Sequence, residues 1–87
     1  NNNDVVQGIA DTIHKMSGVI QVKRDHYIAA TFSSAVFGFV DDFEIRIDPV
    51  GELIHIRSAS RVGRGDMGVN RKRVMLFKKQ LASLLQK

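Results

Sequence analysis

Cysteine is absent from the 87-residue sequence, which excludes a disulfide framework and thiolate chemistry. Long apolar runs are absent as well. The uncharged stretch at residues 31–40 contains three hydroxyl-bearing side chains and a glycine, whereas a membrane-spanning helix needs about 20 apolar residues. Because the length suits one hydrophobic core, we expect a single domain over residues 1–87 with no transmembrane segment.

Acidic residues are scarce in the C-terminal third. Residues 57–87 carry nine Lys and Arg but only one acid, Asp66, for a net charge of +8. Residues 1–56 carry four bases and eight acids, for a net charge of −4. A segment with one sign of charge is typical of a surface that faces anions, or of a segment that folds against an acidic one. The charge count leaves both interpretations open.

Two amphipathic helices are predicted, one near each end of the sequence. Asp4 can cap the first, whose apolar residues recur at helical spacing as far as Ser17-Gly18. We expect Gly18 to end this helix in the left-handed conformation that glycine adopts readily. The second helix is predicted from about Val69 to the end of the sequence, because its apolar residues also recur at helical spacing.

Four β-type runs lie between the helices. Residues 19–23 and 27–33 predict a hairpin, because a short polar turn separates two runs of strand-forming residues. Three apolar residues of the second run share the face that should meet the helices: Ile28, Ala30 and Phe32. Residues 34–40 alternate poorly and are interpreted as a loop or an edge.

The other two strands also form a hairpin in this prediction. The first begins at Phe43, and residues 49–52 separate it from the second. A loop of this length places isoleucine opposite isoleucine and Glu44 opposite Arg57. The predicted fold class is therefore α+β: a two-layer αββββα sandwich in which a four-stranded antiparallel sheet carries both helices on one face.

The pattern of potential catalytic and metal-binding residues is sparse. The three histidines, at positions 14, 26 and 55, are too widely spaced for a local metal motif, so we expect no metal and no cofactor. His55 and Ser58 are an odd number of residues apart on a strand, which points their side chains to opposite faces. Asp41 and Asp42 would diverge in the same way if they begin a strand, whereas in a loop they could converge as an acid and a base.

Glycines and arginines crowd the segment before the second helix. Gly63, Gly65 and Gly68 fit a GxGxxG pattern, but the dinucleotide fold needs a parallel βαβ unit, which this element order lacks. The amides of such a segment could still bind an anion at the start of the helix. Arg71 and Arg73 lie in the predicted first turn, where the helix dipole disfavours each cation by ~0.3 to 1 kcal/mol, so a negative group should compensate.

Two sources of that negative charge stay open. One is a structural charge network within the fold, and the other is an external phosphate, carboxylate or acidic protein. Clustered Arg and Asp more commonly form an internal network, which favours the first source. The network residues would be Asp41, Asp42, Glu44, Arg57 and Asp66. The ligand-binding or partner-binding residues would be Phe37, Phe39, Arg61, Arg64, Asn70, Arg71 and Arg73.

Residues 37–44 and 54–73 together resemble the domain of unknown function family 1499 (DUF1499), and the similarity extends over most of the chain. The resemblance implies a bacterial protein of the cytoplasm or envelope, or a chloroplast protein. It implies no particular reaction. Family members often carry an N-terminal extension with a cysteine-containing segment, which this sequence would then lack.

Three functions from different classes remain. We expect a non-catalytic binding module or accessory subunit that recognises an acidic or membrane-associated protein partner, or a small anion. Nucleic-acid binding through the basic C-terminal third is an alternative, although the basic segment offers no aromatic residue on which bases could stack. The other alternative is an enzyme for an anionic small molecule, with Arg61, Arg64 and Arg71 as clamps and Asp41 or Asp42 as base.

Overall fold

The computed structural model describes residues 2–33, 39–48, 50, 53–61 and 68–85. Within these ranges the elements follow the predicted order αββββα, and the α+β class is confirmed. The helices are α1 (Asn2–Lys15) and α2 (Val69–Leu85). The strands are β1 (Val19–Arg24), β2 (Tyr27–Ser33), β3 (Val40–Asp48) and β4 (Leu53–Ser60). No described helix is both long and apolar enough to cross a membrane.

Helix α1 ends in a Schellman motif, but the left-handed residue is Ser17 (φ 70°) and not Gly18, so that prediction is wrong. The Ser17 N–H donates to the His14 carbonyl at 3.0 Å, and the Gly18 N–H donates to the Ile13 carbonyl at 2.9 Å. Gly18 is needed for a different reason. A Cβ there would come within 2.7 Å of the side chains of Ile13 and Phe32, so only glycine lets the chain pass this close to the core.

The four strands form one antiparallel sheet in the order β1-β2-β3-β4. A two-residue turn joins β1 to β2, and the pairing between these strands is irregular between Ile20 and Val22, which makes Gln21 a bulge. The register of β3 against β4 confirms the prediction, because Ile45 lies opposite Ile56 and Glu44 lies opposite Arg57.

Strand β3 begins at Val40, three residues before the predicted start at Phe43. The interpretation of residues 34–40 as a loop or edge is therefore wrong for Val40, and residues 34–38 lie outside the described residues. The first three residues of β3 were not predicted because aspartate is rare in strands. With Asp41 and Asp42 side by side, the alternation of apolar and polar residues is visible only from Phe43 onward. As strand neighbours, the two aspartates point to opposite faces of the sheet.

The core lies between one face of the sheet and the two helices. Phe43 is at its centre, where its ring meets those of Phe32 and Phe77 edge-on, with centroids 5.4 and 5.1 Å away. The other buried apolar side chains are those of Val6, Ile9, Ala10, Ile13, Ile28, Ala30, Ile45, Ile47 and Leu81. We call this side of the sheet the helix face. The opposite side, the outer face, is not covered by any described helix or strand.

Candidate functional site

On the helix face, Asp41 forms an ion pair with Arg73 of α2. The Arg73 Nη1 donates to the Asp41 Oδ2 at 2.8 Å, and the side chains of Arg73 and Asp41 are only 16% and 13% exposed. Arg73 is the fifth residue of α2, so its predicted place in the first turn is wrong, and the helix dipole affects it less than it affects Arg71. Asp41 supplies a negative charge to this mostly buried guanidinium from within the fold.

Two further side chains contact this ion pair or each other, and we call the group of four the helix-face cluster: Asp41, Ser58, Asn70 and Arg73. The buried Oδ1 of Asn70 accepts a hydrogen bond from the Arg73 Nη1 at 2.8 Å and a short one from the Ser58 hydroxyl. The Arg73 guanidinium also lies 4.7 Å from the centroid of the Phe32 ring, a cation–π contact. The cluster joins β3, β4 and α2 through polar contacts at the edge of the apolar core.

On the outer face, Asp42 pairs with Arg61 just after the end of β4. The Arg61 Nε lies 3.1 and 3.0 Å from the two Asp42 carboxylate oxygens, and its Nη2 lies 2.9 Å from Oδ1. These hydrogen bonds are the main reason that the pKa of Asp42 is lowered from its ordinary value of 3.8, although desolvation opposes the shift. The same bonds raise the pKa of Arg61. Both side chains stay accessible, at 46% exposure for Asp42 and 56% for Arg61.

A second ion pair lies further along the outer face. The Arg57 Nη1 donates to the Glu44 Oε1 at 3.2 Å, so the pair expected from the β3–β4 register is present. The Tyr27 hydroxyl of β2 donates to the other oxygen of Glu44 at 2.7 Å. This hydrogen bond is the largest cause of the raised pKa of Tyr27, because losing the phenolic proton would place two negative charges side by side.

A depression of about 350 Å³ lies on the outer face between these two ion pairs. Ala29 and Thr31 of β2 and Ala59 of β4 line it, and their small side chains leave space that larger residues would fill. Arg57 and Arg61 flank Ala59 on the same face of the chain, because they are two positions away from it on either side. The outer face therefore combines a small open depression with two guanidinium groups.

The sequence model of the family described as Protein of unknown function (DUF1499) matches residues 1–81 of the 87. This chain belongs to the DUF1499 family. A search of curated proteins finds no match. The resemblance carried by residues 37–44 and 54–73 is thus confirmed at the level of the family.

In this DUF1499 domain the residues expected to bind a ligand or partner do not form one group. Arg73 and Asn70 belong to the helix-face cluster, whereas Arg61 lies on the outer face with Asp42. The side chains of Phe39 and Arg71 are exposed. Three of the expected site residues lie outside the described residues: Phe37, Arg64 and Asp66.

The DUF1499 domain also separates two pairs that were considered for catalysis. Asp41 and Asp42 pair with different arginines on opposite faces, so the possibility that they converge as an acid and a base is wrong. His55 and Ser58 lie opposite Arg46 and Phe43, which places them on opposite faces as predicted. Among the described residues, no group of three His, Cys, Asp or Glu side chains could hold a metal ion.

Two residues of these clusters were missed from the sequence. From the sequence Ser58 is a candidate partner of His55, yet it shares the helix face with Ile56 and reaches Asn70 there. Tyr27 is one strand away from Glu44 and two positions along, a diagonal that long side chains can span. The register of β2 against β3 would have indicated Tyr27, but only once the start of β3 was known.

Proposed function

We propose that this DUF1499 domain is a non-catalytic binding module that recognises an acidic protein partner through the outer face of its sheet. The observation that carries the proposal is the exposure of two guanidinium groups on a face that no described element covers. The side chain of Arg57 is 77% exposed and that of Arg61 is 56% exposed, although each is held by a carboxylate of β3.

These two arginines are suited to bind carboxylates. A guanidinium has five N–H donors, and among the described residues Arg61 uses only its Nε and Nη2 groups and Arg57 only its Nη1 group. The remaining donors can bind further acceptors. Because Asp42 and Glu44 already restrict the two side chains, binding a partner costs less side-chain entropy than it would for unrestrained arginines.

The depression between the ion pairs supports a protein partner over a small substrate. Its volume of about 350 Å³ is near the lower limit of small-molecule pockets, and it lies on a sheet face instead of between elements. A depression of this size accommodates one or two side chains of a partner protein. The neighbouring arginines would then contact acidic residues on either side of them.

Nucleic-acid binding is a second candidate, and a different surface favours it. Helix α2 contains Arg71, Lys72, Arg73, Lys78 and Lys79 but no acidic residue. Four of these five side chains are exposed, Arg73 being the exception. Contacts between such a helix and phosphates would depend strongly on salt, because binding releases counterions from the nucleic acid.

The test uses two probes, a fluorescent oligo-glutamate peptide and a DNA oligonucleotide of similar net charge. We expect the peptide to bind to the wild type. The double variant Arg57→Gln with Arg61→Gln should lower the affinity about tenfold or more, because charge-assisted hydrogen bonds are lost. Lys15→Gln with Lys72→Gln is the matched control, because it removes two exposed positive charges from the helices on the other side of the sheet.

Amide chemical shifts locate the binding surface. Peptide-induced shifts at Ala29, Thr31 and Ala59 would support the proposal. The proposal would be wrong if the peptide did not bind, or if the Arg57 and Arg61 substitutions changed affinity no more than Lys15→Gln with Lys72→Gln. Tighter binding of DNA, with loss on Lys78→Gln and Lys79→Gln, would favour the nucleic-acid function instead.

A further inference from the structure

The sheet has two edges, β1 and β4, and only one carries the features that protect edges from pairing. Strand β1 is interrupted by the bulge at Gln21 and ends in Lys23 and Arg24. Strand β4 has no lysine and no proline, and it pairs with β3 without a register shift along its whole length of 8 residues. Of the two edges β4 is the regular one, and no described residue pairs with it on its outward side.

The backbone groups available at this edge follow from one hydrogen bond. The Arg61 N–H donates to the Val40 carbonyl at 3.2 Å, which sets the phase of the β3–β4 ladder. In an antiparallel pair, alternate residues bond to the partner strand and those between them direct their N–H and C=O groups away from it. The residues of β4 that direct these groups outward are Ile54, Ile56, Ser58 and Ser60. Their outward backbone groups have no hydrogen bond to any described residue.

The side chains along β4 indicate what an added strand would contact. On the outer face they include His55 and Arg57, and β4 contains no acidic residue. On the helix face, Ile54 is exposed and Ile56 is partly buried against the core. Side chains of a new strand would alternate between these two environments. A segment in which apolar and acidic residues alternate would therefore match both faces.

A second copy of this chain matches the edge less well. Antiparallel pairing of β4 with its own copy would bring the two α2 helices side by side on one face, because α2 packs on β4. Helix α2 has five basic residues and no acid, so two copies would repel each other. Charge complementarity therefore favours an acidic segment of another protein over a symmetric dimer.

We infer that β4 binds an extended segment of a partner protein, with alternating apolar and acidic residues, as a fifth antiparallel strand. Main-chain hydrogen bonds to Ile54, Ile56 and Ser58 would supply affinity, and the acidic side chains beside Arg57 would supply selectivity. This inference rests on the proposed function, since Arg57 belongs both to the outer face and to this edge. It adds the conformation and the side-chain pattern of the partner segment.

The direct test is a peptide of alternating valine and glutamate, about as long as β4. Its control has the same composition with the valines and glutamates in two blocks. We expect the alternating peptide to bind at least tenfold more tightly than the block peptide, and to slow hydrogen exchange at the amides of Ile54, Ile56 and Ser58. Methylating the peptide nitrogens that face β4 should abolish this binding.

A protein variant tests the same hydrogen bonds. Ile54→Pro removes an outward N–H without removing a bond to β3, and Ile54→Ala is the matched control that keeps the N–H. We expect about a tenfold loss of peptide affinity for the proline variant and a smaller loss for the alanine variant. The methylated peptide gives the same information on the unchanged protein, should the proline variant fold poorly.

The outcomes separate the two proposals. If methylation has no effect while Arg57→Gln still weakens binding, the edge inference is wrong and the outer-face binding module stands. If neither the alternating peptide nor oligo-glutamate binds, both are wrong. Self-association of the unliganded protein, seen as a mass that rises with concentration and is lost in Ile54→Pro, would show that a second copy occupies the edge and would overturn the inference.

Discussion

The two ion pairs that Asp41 and Asp42 form are alike in chemistry and differ in environment. Asp41 and Arg73 are mostly buried, and Asn70 accepts a further hydrogen bond from the same guanidinium. Asp42 accepts hydrogen bonds from both Nε and Nη2 of Arg61, but the two side chains are about half exposed. Removing one partner of a buried pair leaves an unpaired charge in the interior, whereas water solvates a charge left at the surface. The helix-face pair therefore supports the fold, and the outer-face pair is available for binding.

The largest effect is expected from Asp41→Asn. The substitution leaves the buried guanidinium of Arg73 without its carboxylate, and we expect a loss of about 3 kcal/mol in the free energy of unfolding. Urea unfolding at pH 7 measures it. Asp42→Asn is the matched control on the next residue. Equal losses for the two variants would contradict the distinction between the faces.

Asn70→Ala should have the next largest effect. Its Oδ1 accepts hydrogen bonds from Arg73 and Ser58, so the alanine variant removes the acceptor from two donors at once. We expect a loss of about 2 kcal/mol in the free energy of unfolding, measured in urea. Ser58→Ala, which removes only one donor, should cost less. A loss of about 0.5 kcal/mol or less in the free energy of unfolding, as is usual for exposed residues, would mean that water replaces the amide at this position.

Asp42→Asn should cost less than about 1 kcal/mol at pH 7, because the pair is exposed. The folded pKa of Asp42 is lowered below its ordinary value of 3.8, so the ionised carboxylate stabilises the fold above that value. This contribution is lost as the pH falls through the folded pKa. The free energy of unfolding of the wild type should therefore exceed that of Asp42→Asn at pH 6, and this advantage should disappear once the pH is below the folded pKa of Asp42. A constant difference across this range would contradict the assigned pairing.

Tyr27→Phe is expected to have the smallest effect, below about 1 kcal/mol at neutral pH, since only one partly exposed hydrogen bond to Glu44 is lost. The raised pKa of Tyr27 sets the sign of its pH dependence. The phenol stabilises the fold below its unfolded pKa of about 10, and that contribution is lost as the pH rises through the higher folded value. Thermal unfolding of both proteins between neutral and strongly alkaline pH would measure the difference.

Much of the fold could be predicted because local patterns specify it. The alternation around Ile45 and the length of the loop after Asp48 determine the β3–β4 register, and helical spacing indicates both helices. The start of β3 could not be predicted, since Asp41 and Asp42 are polar residues in a strand whose pairing depends on tertiary contacts.

The candidate sites were less predictable for the same reason. Asp41 and Arg73 are 32 residues apart, and they meet only because α2 lies across the face of β3 and β4. Periodicity indicates which side of α2 is apolar but not where along the sheet the helix begins. Arg61 and Asp42 likewise require the end of β4 to reach the start of β3. The sequence indicated a charge network, whereas its division between two faces required the three-dimensional fold.

The order of the strands in the sheet is also their order along the chain. Each strand therefore pairs with the one made just before it, and most contacts of the sheet form between segments that are close in sequence. Such a topology folds fast, because little chain entropy is lost before the first stabilising contacts form. The packing of Gly8 against Leu81 and Leu85 joins the two most distant segments, so the contact between α1 and α2 closes the longest loop of chain and has the largest loop-closure entropy.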